Sequence, residues 1–362
     1  MTEVNFDDYK YYPALRTRLA ELKGLEHVDP ERKSKILPLF TLGRWPKATD
    51  FSRSADKVAA IMEGRPYFLD LTSDANHLAE AQQVLRQPDN AFSEWRSFAT
   101  ARTGSIPIVQ TPPGARTRDV AKQAQAIERA VGKLAFRIKE FSTDVATVVA
   151  ALSAVDNPRN AIVFVDCQYI RSALPAYISA SIATINQLRS EFPEIFIAVL
   201  STSFPISTAK FADQSGLRGS IDILERELHQ KIGGDAIAAY GDHSSIHSIV
   251  YDDVPIMRWA ARVDYPRPLD WYFERRPQDQ SAEGYASAAR GIMELDPDIG
   301  KRKIWGEDMI LQAARGSPHA KAPGPWISVR VNIHLSRQID LSEQINSATP
   351  DEDDGWLDIE ED

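Results

Sequence analysis

Short apolar runs rich in Val, Ile and Phe alternate along the chain with longer stretches in which apolar residues recur at helical spacing. Runs that are apolar on both faces are typical of parallel strands covered by helices on both sides. The pattern predicts eight strands, at residues 36–42, 66–72, 106–111, 133–139, 161–167, 195–202, 236–242 and 256–266. A predicted helix follows most of them, which indicates an α/β fold with a parallel sheet.

The number of units favours one architecture over its main rival. Eight βα units that close on themselves form a (β/α)8 TIM-like barrel, whereas an open doubly wound sheet is the alternative. No G-x-G-x-x-G turn follows the first predicted strand, which also disfavours the dinucleotide-binding form of the open sheet. We therefore expect a barrel. Its last units look irregular, because no clear helix separates strands seven and eight and residues 264–275 resemble a β-hairpin.

The pattern divides the chain into four parts. Residues 1–35 are expected to be a helical segment at the barrel entrance, with an amphipathic helix over 11–25, and residues 36–276 to be the barrel. Residues 277–340 are expected to pack on the barrel, with helices at 281–295 and 306–315. Residues 326–339 alternate between apolar and polar side chains, which predicts an added strand. Residues 341–362 are expected to be an acidic, disordered tail.

Charge is concentrated in that tail. The chain has 42 Lys and Arg against 51 Asp and Glu, a net charge of -9. Nine of the acidic residues lie in 341–362, which has no Lys or Arg, so the remaining body is neutral. A neutral body disfavours a nucleic-acid partner. The tail also carries Trp356, Leu357 and Ile359, so it is either a solvating segment or one that docks on a basic groove of a partner.

Composition excludes several classes of protein. Cys167 is the single cysteine of the 362 residues, which excludes an internal disulfide and clusters held by several thiolates. No apolar run approaches the roughly 18 residues of a membrane span, and the amino-terminal residues do not resemble a secretory signal. We therefore expect a cytoplasmic protein without membrane contact. Neither a nucleophile-elbow motif nor a P-loop is present, and no cofactor is indicated.

Polar side chains at the ends of the predicted strands are the candidates for function, because barrel sites lie at the carboxyl ends of the strands. These residues are Arg44, Asp70, Gln110, Arg137, Lys139, Asp166, Ser201, Ser203, Asp242, His243, Arg262 and Asp264. Strand alternation groups the charged members with apolar residues that we expect to face inward. Arg137 and Asp166, on adjacent strands, are therefore predicted to form an ion pair, since a buried charge needs a partner.

Three roles remain open for this set. In the first role, the charged side chains form a structural network. In the second, Arg44, Arg137 and Tyr240 bind a ligand. In the third, Asp70, Asp166 and Asp242 act in catalysis by holding a divalent cation.

Other residues carry weaker signals. His243 and His247 lie in a loop-like segment, so their spacing predicts no metal site, and His334 reads as a strand residue. Cys167 reads as a small buried hydrophobe. Ser220 is expected to cap the helix that follows Gly216 and Gly219, a position at which a phosphate can bind.

Six segments of the chain carry a resemblance to a known family: YYPALRTRLAELKGL (11–25), KILPLFTL (35–42), PYFLDLT (66–72), AYGDHS (239–244), WGED (305–308) and PWISVRVNIH (325–334). Together they resemble segments of the beta family of phage proteins. The resemblance spans roughly residues 9–335. It supports Asp70, Tyr240 and Asp242 as residues of interest, and it carries no catalytic signature.

The resemblance implies an origin in phages, prophages or other mobile elements. The family's namesake lies beside a gene for a product that is toxic to the host, in a cassette linked to the exclusion of other phages. This implies an intracellular component of an anti-phage defence or toxin–antitoxin-like cassette that binds a protein partner encoded nearby. The alternative is a metal-assisted phosphodiester hydrolase or nucleotide-binding enzyme with a phosphorylated ligand at the barrel mouth.

Overall fold

The structure, a computed structural model, describes residues 4–73, 77–248, 260–277, 279 and 281–347. Its strands are β1 Tyr12–Arg16, β2 Leu39–Leu42, β3 Tyr67–Leu71, β4 Ser105–Pro107, β5 Leu134–Ile138, β6 Ala161–Tyr169, β7 Phe196–Thr202, β8 Arg218–Asp222, β9 Ala239–Asp242, β10 Ala261–Pro266 and β11 Asp270–Arg276. Its helices are α1 Leu19–Glu26, α2 Pro30–Lys33, α3 Ser52–Met62, α4 Gln82–Leu85, α5 Asp89–Thr100, α6 Thr117–Val131, α7 Asp144–Leu152, α8 Leu174–Glu191, α9 Leu224–Lys231, α10 Ala282–Leu295, α11 Trp305–Ala314 and α12 Pro323–Ser347.

Eight parallel strands form a sheet that is nearly closed into a barrel. Their order is β4-β3-β2-β1-β9-β7-β6-β5. A parallel bridge between Ile108, directly after β4, and Ala135 of β5 joins the two edge strands of this sheet. Helices flank the strands, so the predicted α/β TIM-like barrel is confirmed.

Two barrel strands differ from the prediction. Tyr12–Arg16, expected to lie in an amphipathic helix, is β1 and pairs in parallel with β2 and β9, and helix α1 starts only at Leu19. The eighth predicted strand, 256–266, is wrong as a barrel strand. Residues 256–259 lie outside the described residues, and β10 pairs antiparallel with β11 in the predicted hairpin. With β8, these strands form a separate three-stranded sheet in the order β10-β11-β8.

Two further predictions are wrong. Ser220 does not cap a helix: it lies within β8, and α9 begins only at Leu224. The segment 326–339 is helical rather than extended, since it lies within α12. The predicted helices at 281–295 and 306–315 are confirmed as α10 and α11. Of the predicted acidic tail, residues 341–347 belong to α12 and residues 348–362 lie outside the described residues.

The barrel has an apolar interior and a larger apolar layer between strands and helices. Tyr12, Phe68, Phe164 and Leu200 belong to the interior cluster. Alternate residues on the same strands, such as Val163, pack outward in the main cluster with the flanking helices. Residues in phase with the interior set therefore point toward the barrel axis, and those at the carboxyl ends of the strands point into its mouth.

Helix α12 connects the barrel to the added sheet and helices. It packs against α1 so closely that a Cβ on Gly24 would lie 2.9 Å from the carbonyl oxygen of Ser328. Its other side contacts β10 and α11. In the part of the chain that the structure describes, no helix combines the length and apolar character that a membrane crossing requires.

Candidate functional site

Arg137 lies at the centre of the barrel mouth. From β5, its guanidinium bonds to Asp70 on β3 at 2.9 Å and to Asp166 on β6 at 2.7 Å. It also donates to the hydroxyl of Thr41 on β2 at 2.9 Å. The Arg137 side chain is 7% exposed. The predicted ion pair with Asp166 is therefore confirmed, and Asp70 adds a second carboxylate to it.

The remaining acceptor positions of both carboxylates are occupied. Asp70 Oδ1 accepts from the Leu71 amide at 2.8 Å and from Gln110 Nε2 at 3.1 Å. Asp166 Oδ1 accepts from the Gln168 amide at 2.9 Å and bonds to His243 Nε2 at 2.9 Å. Burial alone raises the pKa of Asp166, but His243 and the Arg137 guanidinium together hold that pKa well below its usual range. Asp166 is therefore a fixed anion.

This arrangement differs from a metal site in which two carboxylates are free to bind a divalent cation. The guanidinium of Arg137 stands between Asp70 and Asp166 and bonds to an oxygen of each. Within the described ranges, no group of three or more His, Cys, Asp or Glu side chains is placed to hold a metal ion. The observed arrangement is a neutralising bridge that fixes both aspartates at the mouth.

Two adjoining cavities open at the mouth. The inner mouth cavity, of about 50 Å³, is lined by Arg16, Thr41, Asp166 and His243, among others. The side cavity, of about 310 Å³, lies toward β3 and β4 and is lined among others by Asp70, Arg86 and Gln110. Four residues line both cavities: Ser73, Arg137, Lys139 and Gln168.

Backbone strain accompanies the mouth. Gln168, after a register shift in β6, has a φ of +54°, and Ser244 and Ser245 after β9 have φ values of +53° and +63°. Side chains other than glycine adopt this region at a cost, and such residues cluster at functional sites. Here they lie beside Asp166 and His243 and set the course of the chain out of the barrel.

Asp242 and Tyr240 share a face, as predicted, but that face points outward, so the expected inward position of Asp242 is wrong. Asp242 accepts from Tyr11 at 2.7 Å and from Tyr240 at 2.9 Å, and it bonds to His334 of α12 at 2.9 Å. Burial raises the pKa of Asp242, but His334 and the hydrogen bonds outweigh it and bring the pKa to about 2. Trp271 donates to the other ring nitrogen of His334 at 3.2 Å. Asp242 thus anchors α12 to the barrel.

The other candidates are dispersed. Arg44 lines a separate surface cavity with Trp45 and His77, away from Arg137. Arg262 and Asp264 belong to the added sheet rather than to a barrel strand. Burial raises the pKa of Cys167 to about 12, which agrees with its interpretation as a small buried hydrophobe.

Three more candidates lie close to the mouth or beneath it. Ser203 donates to Glu225 at 2.6 Å, and Ser201 is buried. His247 lies in a loop, as the sequence indicated, and its ring packs against Tyr169 at a tilt of 36°.

A large cleft adjoins the mouth and was not anticipated from the sequence. Its volume is about 840 Å³, and it lies between α1, the loop after β7, the added sheet and the first turns of α12. Six basic side chains line it, against the two acidic ones of Glu21 and Asp264: Arg16, Arg18, Lys23, Arg262, Arg275 and Arg330. We call this feature the basic cleft. The residues that line the basic cleft come from segments that are far apart in the sequence, and the tertiary fold brings them together.

Comparison with known proteins gives the family. A sequence model of the Beta protein family matches residues 11–340. The chain is similar to Protein beta of Enterobacteria phage P4, with 44% identity over 344 residues that cover 95% of this chain and 96% of that protein. The matched range includes every strand of the barrel, the whole mouth and most of α12. The chain therefore belongs to the beta protein family.

Proposed function

We propose that this protein binds an acidic, partly apolar segment of a partner protein in the basic cleft. The setting we propose is a phage- or prophage-borne cassette for defence against other phages, of the toxin–antitoxin-like kind that the family resemblance implies. The partner is a protein encoded nearby, and binding takes place in the cytoplasm. The observation that carries the proposal is the excess of positive charge on an open, partly apolar cleft, in which Arg18, Lys23 and Arg275 form no ion pair with a described residue.

The charges of the cleft are unevenly compensated. Asp264 forms ion pairs with Arg262 and Arg330, each at 2.8 Å. Glu21 accepts from the backbone amide of Arg16 at 2.7 Å. Among the described residues, no carboxylate lies within ion-pair distance of Arg18, Lys23 or Arg275. These three cations therefore favour a partner that brings negative charge.

Apolar surface accompanies the charge. Leu19 is 60% exposed and Ile206 is 63% exposed, and both line the cleft. Phe204 and Trp326 contribute buried aromatic surface to its walls. The Arg330 guanidinium lies 4.1 Å from the centre of the Phe204 ring. Apolar anchors within a charged rim are the usual composition of a protein interface, so an acidic segment with apolar side chains fits this cleft.

The test is purification of the protein from its native operon, with intact and denaturing mass spectrometry. We expect a stoichiometric protein partner whose affinity falls as salt rises from 0.05 to about 0.5 M, because screening weakens exposed charge pairs. The double variant Lys23→Glu with Arg275→Glu should lower the affinity at least tenfold. The same variant should abolish protection in a phage-plating assay.

The matched control reverses two exposed charges elsewhere. Lys122→Glu with Arg129→Glu alters helix α6 on the outside of the barrel and should leave binding and protection unchanged. Absence of a partner, or equal binding by both double variants, would overturn the proposal. A cleft variant that loses binding but still protects against phage would overturn the defence setting and leave the cleft as the interface.

A further inference from the structure

The two aspartates that line the side cavity are already hydrogen-bonded, whereas Arg86 keeps a buried donor without a partner. Asp70 accepts from Leu71, Gln110 and Arg137. Asp144, on the rim, accepts from the backbone amides of Lys139 and Glu140 at 3.0 and 2.9 Å. Both aspartates are therefore already hydrogen-bonded, and Glu140, which also lines the cavity, is exposed to solvent.

Arg86 supplies this unpartnered donor. Its Nη2 donates to the carbonyl oxygen of Thr72 at 2.8 Å, and its buried Nε has no partner. Within the described part of the chain, no carboxylate lies within ion-pair distance of this guanidinium. Burial lowers the pKa of Arg86, so its charge is incompletely compensated by the protein. An unpaired guanidinium hydrogen of this kind is costly to bury unless a ligand accepts from it.

Lys139 and Arg137 line the same cavity. Arginine and lysine together on one wall are a common arrangement for binding phosphate oxygens. The cavity lies at the carboxyl ends of β3, β4 and β5, where barrel proteins bind their ligands. Its volume of about 310 Å³ is at the lower end of the range for small-molecule sites.

We propose that the side cavity binds the phosphate group of a small organic phosphate, with Arg86 and Lys139 contacting its oxygens. Asp70 repels such a group less than an isolated aspartate would, because Arg137 bonds to it directly. This site is separate from the basic cleft and does not depend on the cleft's role.

The experiment is isothermal titration of the full-length protein with inorganic phosphate and with glycerol 3-phosphate, and with acetate as a carboxylate probe. We expect saturable binding of both phosphates, and binding of acetate at least tenfold weaker. Arg86→Gln should weaken phosphate binding at least tenfold, because the charged donor is lost. Arg86→Lys should lie between the two, since it keeps the charge without the planar fork.

The control is Arg129→Gln, the same change at an exposed arginine of α6, which should bind phosphate like the wild type. Urea unfolding of each variant without ligand separates loss of binding from loss of folding. If Arg86→Gln unfolds, Arg86→Lys takes its place in the comparison. The proposal is overturned if the wild type shows no saturable phosphate binding, if acetate binds as well as phosphate, or if the folded Arg86 variants bind phosphate unchanged.

Discussion

Replacing Asp242 with Asn tests whether a buried anion holds α12 on the barrel. Asp242 accepts from two tyrosine hydroxyls and the Ser244 amide, and it bonds to His334 of α12. Asn has the same size, but its amide nitrogen is a donor placed among donors. The substitution therefore removes the negative charge and at least one acceptor while leaving the packing volume unchanged.

The magnitude follows from the pKa of Asp242, which falls from its ordinary 3.8 to about 2 in the folded protein. Each pKa unit corresponds to about 1.36 kcal/mol, so the ionised carboxylate stabilises the folded state by about 2 kcal/mol. A depressed folded pKa gives stability that is present above the unfolded pKa and is lost as pH falls toward the folded pKa. Asp242→Asn should therefore lower the free energy of unfolding by about 2 kcal/mol at pH 7, and by roughly half of that at pH 3.

The assay is urea unfolding of both proteins at pH 7 and pH 3, followed by tryptophan fluorescence, since Trp271 bonds to His334. Asp156→Asn is the control, because Asp156 forms an exposed pair with Arg129 that contributes little. A loss below about 0.5 kcal/mol at pH 7, or an equal loss at both pH values, would refute the reasoning.

Three further predictions concern other buried groups. Burial raises the pKa of Glu225 to about 7, so the wild type loses stability as pH rises from about 4.5 to 7. Glu225→Gln should remove most of this loss, about 3 kcal/mol, in urea titrations at pH 5 and 8, and an unchanged pH profile would contradict it. Arg137→Met leaves two buried aspartates without their cation and should lower the free energy of unfolding by about 3–5 kcal/mol in the same assay. A loss below about 1 kcal/mol would show that the bridge contributes little to stability. Cys167, whose pKa is raised to about 12, should resist iodoacetamide in the native protein and react only in urea; rapid native alkylation, detected by mass spectrometry, would disprove its burial.

Sequence reasoning placed Asp70, Arg137 and Asp166 correctly because the residue two positions before each of them is apolar and lies in the barrel interior, as Phe164 does before Asp166. The same rule misplaced Asp242. Alternation says only that Tyr240 and Asp242 share a face, and in a strand covered on both sides either face can be apolar. The inward position of that strand belongs to Gly241, whose Cβ would meet Leu200 at 2.4 Å.

Helix α12 was mistaken for a strand for a related reason. Polar residues recur at every second position from Ser328 to Ser336, and all of them are buried, because α12 is enclosed by α1, α11 and β10. A helix enclosed on several sides shows no amphipathic period. The basic cleft was beyond sequence reasoning, since Arg18, Lys23 and Arg275 meet only through the tertiary fold.

The position of β1 in the barrel has a consequence for synthesis. Pro13 pairs with Asp242, and Gly24 packs under Ser328 of α12. During synthesis, one edge of β1 therefore stays unpaired until β9 has left the ribosome, by which time most of the protein has been made. Contacts between such distant segments close large loops and slow folding, and an unpaired strand edge is open to wrong partners. We expect the nascent chain to depend on chaperones until β9 and α12 are synthesised. Circular permutants in which the chain ends are linked, so that β9 and α12 precede β1, should refold faster.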